Sequence, residues 1–227
     1  MGVLRIYAGE LLMPRRGEVG GLYAPISGLA RAAFNLATGG SVSDVSNYNG
    51  TGQLWRVHTF TASGTLTVVQ AVVPFAVLVC GGGGGGGGSN NAVHGGAGGG
   101  GKATKNSALT LAVGARTVTV GTGGPGGGGN GAGTSGNPSS VDSSITAAGG
   151  TAAPANAGGT YIAGGGANLN DTISGASVLY GQDAQSYNDW GGASGAVPGG
   201  GGGAAAVGTN SGASGKDGRV VVAYRIG

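Results

Sequence analysis

Apolar and polar residues alternate over Trp55-Arg56-Val57-His58-Thr59-Phe60 and again over Thr65-Leu66-Thr67-Val68-Val69, with Ala62-Ser63-Gly64 between them. A period of two belongs to a half-buried strand, so two strands joined by a turn are expected here. After Pro74, the run from Phe75 to Cys80 is continuously apolar, as in a strand covered on both faces. Ala108 to Val113 and Arg116 to Val120 flank Gly114-Ala115 and read as a hairpin. Ser139 to Ala147 reads as one further short strand, and Arg219 to Ile226 as a strong final one. Upstream, Leu4 to Ala8 and Glu10 to Met13 flank Gly9 and suit a small hairpin or arm. Leu29, Ala33 and Leu36 have helical spacing, which Gly39-Gly40 ends. Residues 39–52 read as a loop.

These segments divide the chain into an N-terminal attachment segment, 1–52, and a glycine-rich β domain, 53–227. Residues 1–52 serve equally well as a plain extension of the core. The expected fold class is all-β: a small β-sandwich scaffold that clamps glycine-rich loops packed as polyproline-II-type (polyglycine II) helices. The last strand closes a β layer and so pins a long glycine-rich excursion at both ends.

Composition changes the reading of that excursion. Glycine supplies 58 of 227 residues, while charged residues are 8% and aromatics 5%. Disorder normally comes with high net charge, and here the formal charge is only +3. Collagen needs glycine at every third position with frequent proline, whereas glycine here comes in blocks such as 81–88, 98–101, 126–129 and 199–203. Consecutive glycines are poor in helices and in ordinary strands. They can take up polyproline II, whose N–H and C=O groups point outward. Without side chains, neighbouring segments can approach closely enough to bond main chain to main chain and so satisfy those groups. Ordering each residue costs about 1–2 kcal/mol of backbone entropy, so only dense interchain-segment bonding compensates. A packed lattice is expected, with Gly83, Gly99, Gly127 and Gly201 as members; flexible glycine loops are the alternative.

The order of the segments resembles that of glycine-rich bacteriophage tail domains. The stretch from Trp55 to Val68 is similar to their strand–turn–strand opening, and Phe75 to Cys80 running into Gly81 to Gly88 is similar to their strand that enters a glycine block. Thr117 to Gly124, Gly175 to Gly181 and Pro198 to Gly203 resemble later blocks, and Gly215 to Tyr224 resembles their closing motif. The resemblance covers roughly 55–227 and leaves the N-terminal segment unaligned. It implies a structural virion protein of a phage tail: a minor tail, tail-tip or tail-fibre protein, made in the host cytoplasm and located in the virion. Partners would be other tail proteins, a host-envelope receptor and further copies of the chain, with a trimer favoured. The preference for arginine over lysine fits an actinobacterial host. A virion decoration or host-envelope-binding module is the alternative, and a glycan depolymerase a more distant one.

Candidate chemistry is sparse. No catalytic residue, metal site or cofactor is expected. Gly96 to Ala103 nearly spells a phosphate-binding loop, but the position after Lys102 is Ala103, where that loop needs serine or threonine. Residues 212–218 resemble one copy of a calcium-binding repeat that requires tandem copies; a turn into the last strand, with Gly218 as its glycine, is the plainer reading. His58 and His94 are the only histidines and Cys80 the only cysteine, with no metal-ligand spacing. Cys80 reads as a small buried hydrophobe. Asp171, Asp183 and Asp189 read as loop carboxylates. Arginines are scattered without a basic stripe, so no nucleic-acid partner is expected. The start lacks a signal-peptide pattern. The most apolar stretch, Leu66 to Cys80, is too short to span a bilayer.

Residues 161–190 stand apart. Tyr161, Tyr180, Tyr187 and Trp190 lie among Asn168, Asn170, Gln182, Gln185 and Asn188. Rigid aromatics with amides beside them suit recognition, and Tyr161, Tyr180, Tyr187, Trp190, Asn170 and Asn188 are the receptor-contact candidates. The same aromatics can also cap the glycine lattice or fill a subunit interface.

Overall fold

The structure is a computed structural model that describes residues 5–7, 10–12, 36–46, 48, 51–70, 74–90, 92–157, 168–184, 197–208 and 211–226. The chain divides into two compact units, Met1–Ala32 and Ala33–Gly227. In the first, β1 (Arg5–Tyr7) and β2 (Glu10–Leu12) pair antiparallel, with Arg5 opposite Leu12, as the expected hairpin does.

The second unit is built on strands. In chain order they are β3 (Ala37–Thr38), β4 (Ser41–Val45), β5 (Trp55–Phe60), β6 (Gly64–Val68), β7 (Phe75–Cys80) and β8 (Ala103–Leu109). There follow β9 (Gly114–Thr119), β10 (Ser139–Val141), β11 (Ile145–Ala147), β12 (Leu169–Asp171), β13 (Val178–Tyr180) and β14 (Arg219–Arg225). One five-stranded sheet runs β4-β5-β14-β7-β8 and another β11-β10-β9-β6-β3, and β12-β13 form a separate pair. The two large sheets pack through Phe60, Leu66, Phe75, Val77, Val118, Val141, Val222 and Tyr224. The opposite face of the first sheet carries Val57, Leu78, Cys80 and Val221, covered by Ile173 and Tyr180 from the β12–β13 hairpin. β7 is therefore buried along its whole length, which is why its sequence shows no alternation.

Several expectations change. The compact units divide after Ala32, and within the second β3 pairs with β6 and β4 with β5, placing Ser41 opposite Thr59. The loop expected over 39–52 thus contains an edge strand, polar because its outer side faces water. Of the helix expected near 29–37, Leu29 and Ala33 lie outside the described residues, while Ala37 is in a strand. Residues 108–120 are not a hairpin: β8 lies earlier and pairs with β7, whereas β9 pairs with β6 and β10 in the other sheet. Leu111, buried in the main core, carries the chain between them. Residues 139–147 form two strands, turned at Asp142 with φ +46°.

The last strand does close a layer. β14 lies between β5 and β7, with Arg219 opposite Cys80 and Val220 opposite both Val79 and Phe60.

Candidate functional site: a ring of glycine segments

Beyond Cys80, strand β7 continues as residues 81–88, all glycine and all buried. Each of these eight residues donates its N–H to a main-chain carbonyl at 2.8–3.0 Å. Gly81, Gly84 and Gly87 donate to Lys102, Gly99 and Gly96; Gly82, Gly85 and Gly88 to Asn137, Thr134 and Gly131; Gly83 and Gly86 to Lys216 and Ala213. Their carbonyls accept from three other segments: Gly82, Gly85 and Gly88 from Gly150, Ala153 and Asn156, Gly83 and Gly86 from Gly124 and Gly127, Gly84 and Gly87 from Gly202 and Ala205. Partners thus recur every three residues, the repeat of a polyproline II helix.

Six segments surround this axis. In order they are 95–102, 148–156, 131–137, 121–128, 212–218 and 199–205, each bonded to the next and the last to the first, for example Gly99 to Thr151, Gly136 to Gly150, Thr134 to Pro125, Gly215 to Gly124, Lys216 to Gly200 and Gly98 to Gly202. Segments that leave the sheets run parallel to the axis, and those that return run antiparallel, in alternation round the ring. A Cβ on any residue of the axis would collide with a main-chain carbonyl of the ring. The ring residues that face inward, such as Gly95, Gly98 and Gly101 or Gly212 and Gly215, meet the axis carbonyls in the same way, and Gly218 meets the Cys80 carbonyl just below the axis. Outward positions tolerate side chains, so Thr122 and Pro125 are exposed while Gly121, Gly124 and Gly127 are buried.

All four lattice candidates lie in this array: Gly83 on the axis, and Gly99, Gly127 and Gly201 in the ring. The N–H groups on the outer side are capped by side chains. Asp217 Oδ1 accepts from Gly123 (2.8 Å), Asp183 Oδ1 from Gly100 (2.7 Å) and Ser135 Oγ from Ala152 (3.2 Å). Proline at Pro125 and Pro154 has no N–H to satisfy. At the foot of the array, buried Ser139 accepts from Gly121 N–H at 2.8 Å and donates to the Cys80 carbonyl at 2.7 Å.

At the far end, the turns between segments collect. Ser89 Oγ donates to the Ala206 carbonyl at 2.7 Å, Asn156 Nδ2 donates to Asn130 Oδ1 at 3.1 Å, and Asn90 Oδ1 accepts from the N–H groups of Ala92 and Val93. Asn90, His94, Asn130 and Val207 lie on these turns. They were visible in the sequence as the points where non-glycine residues interrupt the blocks.

The aromatic candidates fare differently. Tyr180 is fully buried in the second core, so it cannot touch a receptor; Val178 and Tyr180 share the face of β13 that packs on the sheet. Asn170 is exposed on β12, its Oδ1 accepting from Ser177 Oγ at 2.7 Å. Tyr161, Tyr187, Trp190 and Asn188 lie outside the described residues.

The remaining chemistry resolves into structural bonds. In the stretch resembling a phosphate loop, the N–H groups of Gly96, Gly98, Gly99, Gly101 and Lys102 all bond ring carbonyls, which leaves no cradle for a phosphate. Gly218 is not a turn glycine; a Cβ there would strike the Cys80 carbonyl. Asp171 pairs with Lys105 Nζ at 2.6 Å and accepts from the Ile173 N–H. Asp44 and Arg56, opposite one another on β4 and β5, form two hydrogen bonds at 2.7 and 2.8 Å, which lowers the Asp44 pKa. His58 is buried, its Nδ1–H donating to the Gly39 carbonyl at 2.7 Å while Nε2 lies 3.4 Å from the Tyr224 hydroxyl. Burial lowers its pKa. Burial also pushes the Cys80 thiol up to about 12. No group of three or more His, Cys, Asp or Glu is placed to hold a metal among the described residues.

No curated protein matches the chain. A family model described as a glycine-rich domain matches residues 59–196, which is more than half of it. The matched span takes in the end of β5, strands β6 and β7, the axis and four ring segments, and the chain belongs to that glycine-rich domain family.

Proposed function

We propose that this chain is a structural protein of a bacteriophage tail, a minor tail, tip or fibre protein that acts as a homo-oligomer, with its glycine array as a stiff spacer. The observation that carries this reading is the closed ring of segments around residues 81–88, bonded at every axis residue. Seven chain segments tied main chain to main chain, and rooted in a β scaffold at one end, resist bending as no single glycine linker does. The turns at the free end hold Asn90, His94, Asn130 and Val207 away from the scaffold, a suitable place for contact with a cell envelope. The resemblance of the segment order to that of phage tail domains supports the location.

Immunogold labelling of phage particles with antibody against this chain tests it. Label on the tail or baseplate is expected. Label absent from particles, with purified protein still binding cell envelopes, would favour the free envelope-binding module instead.

A further inference from the structure

A groove of about 330 Å³ lies where the scaffold meets the array, apart from the turns at the far end. Thr61, at the end of β5, and Arg219, at the start of β14, form its scaffold side; Lys216 and Asp217 come from the ring segment 212–218, and Val197 and Pro198 from the approach to 199–205. Phe60 is opposite Val220, so Thr61 and Arg219 are neighbours across the strands.

The charges in this groove are unbalanced. Two positive side chains, Lys216 and Arg219, face one negative, Asp217, whose Oδ1 accepts from the Gly123 N–H. Among the described residues, no carboxylate lies within ion-pair distance of Lys216 or Arg219. Arg219 is partly exposed in the groove, and a guanidinium fork fits the paired oxygens of a carboxylate or phosphate. The apolar wall of Val197 and Pro198 suits the face of a sugar ring, and the volume is that of a small-ligand site.

We infer that this groove binds the anionic group of an acidic saccharide, with Arg219 as the fork, Lys216 as the second positive charge and the Thr61 hydroxyl as a further hydrogen-bond partner. The inference does not rest on a role in a virion. Glucuronate and glucose 6-phosphate supply the same recognisable feature from two sources, and glucose is the neutral control.

The test is titration of the full-length protein with each of the three, followed by calorimetry and by amide chemical shifts. Saturable binding of at least one anionic sugar, with Kd at or below about 1 mM, is expected. It should shift the amides of Lys216 and Gly218, and weaken with added salt as ion pairing is screened. Binding of glucuronate alone would assign a carboxylate ligand, and binding of glucose 6-phosphate a phosphate one. Arg219→Gln and the exposed Lys216→Gln are each expected to weaken binding at least tenfold. If Arg219→Gln fails to fold, Lys216→Gln decides. The proposal is overturned if neither anionic sugar binds, if glucose binds equally well, or if Lys216→Gln keeps full affinity.

Discussion

Alanine at Gly84 would drive its Cβ into the Thr151 carbonyl, with no flexible side chain nearby to give way. Such overpacking costs about 3 kcal/mol or more when only main chain can move. Gly128, in the same family of blocks, has open space where its Cβ would stand. Gly84→Ala should therefore lower the denaturant midpoint severely or abolish folding, and Gly128→Ala should stay within about 0.5 kcal/mol. Equal effects would show that glycine identity, not close approach, matters. His58 makes a second residue-level prediction. Its folded pKa lies below the ordinary value near 6.5 because burial penalises the imidazolium. As pH falls through 6.5 the unfolded chain takes up the proton first, so stability is complete above that value and declines below it, until the folded pKa is passed. Denaturant titrations between pH 8 and 5 in the parent and in His58→Gln measure this, and a flatter profile in the variant is expected. Cys80 adds a third. A buried thiol with pKa about 12 is a poor nucleophile, so alkylation should proceed at the rate of unfolding, not at that of a free thiol.

Elements meet at Ser139. Its hydroxyl joins the ring segment 121–128 to the point where β7 becomes the axis, through Gly121 and Cys80. Ser139→Ala leaves a buried N–H and a carbonyl without that partner, for a loss of about 1–3 kcal/mol. Urea unfolding of the variant reads it directly; a change under 0.5 kcal/mol would mean that water replaces the hydroxyl. Edge strands explain the elements that alternation missed. β4 and β8 lie at the two edges of their sheet and are mostly exposed. Their places are set by the backbones of β5 and β7, so their own residues carry little apolar signal. The caps on the array work in the same spirit. Asp217, Asp183 and Ser135 cover N–H groups that would otherwise offer a bonding edge to another molecule.

At the scale of the molecule, the array and the sheets of residues 33–227 should unfold as one cooperative structure, since every segment described in the ring continues into a strand or an adjacent turn. The axis amides have no path to water that leaves the ring intact. Amide exchange at Gly83, Gly84, Gly99 and Gly127 should then match the global unfolding free energy. Exchange near free-peptide rates across residues 81–88 would contradict both the array and the spacer role. Truncation before Arg219 removes the strand between β5 and β7 and should unfold the glycine segments along with the scaffold, visible as loss of that protection.

Much of this was readable in the chain. The strands β5, β6, β7 and β14 follow from period and apolarity, and low charge with glycine in blocks points to packed main chain. Triplet spacing at Gly95, Gly98 and Gly101 and at Gly212, Gly215 and Gly218 also carries the inward-facing register, a signal that reading the glycines as blocks passes over. What the linear order does not hold is which segment neighbours which. A glycine has no side chain to mark its direction, so the ring order emerges only when seven segments compete for the same carbonyls. Tyr180 failed as a contact residue for a related reason: Val178-Leu179-Tyr180 is apolar throughout and carries no alternation to mark an inward face, so only the sheet beneath β13 decides which side chain is buried. Long-range pairing, such as Cys80 with Arg219, is a property of the folded whole, because its partners are brought together by everything between them.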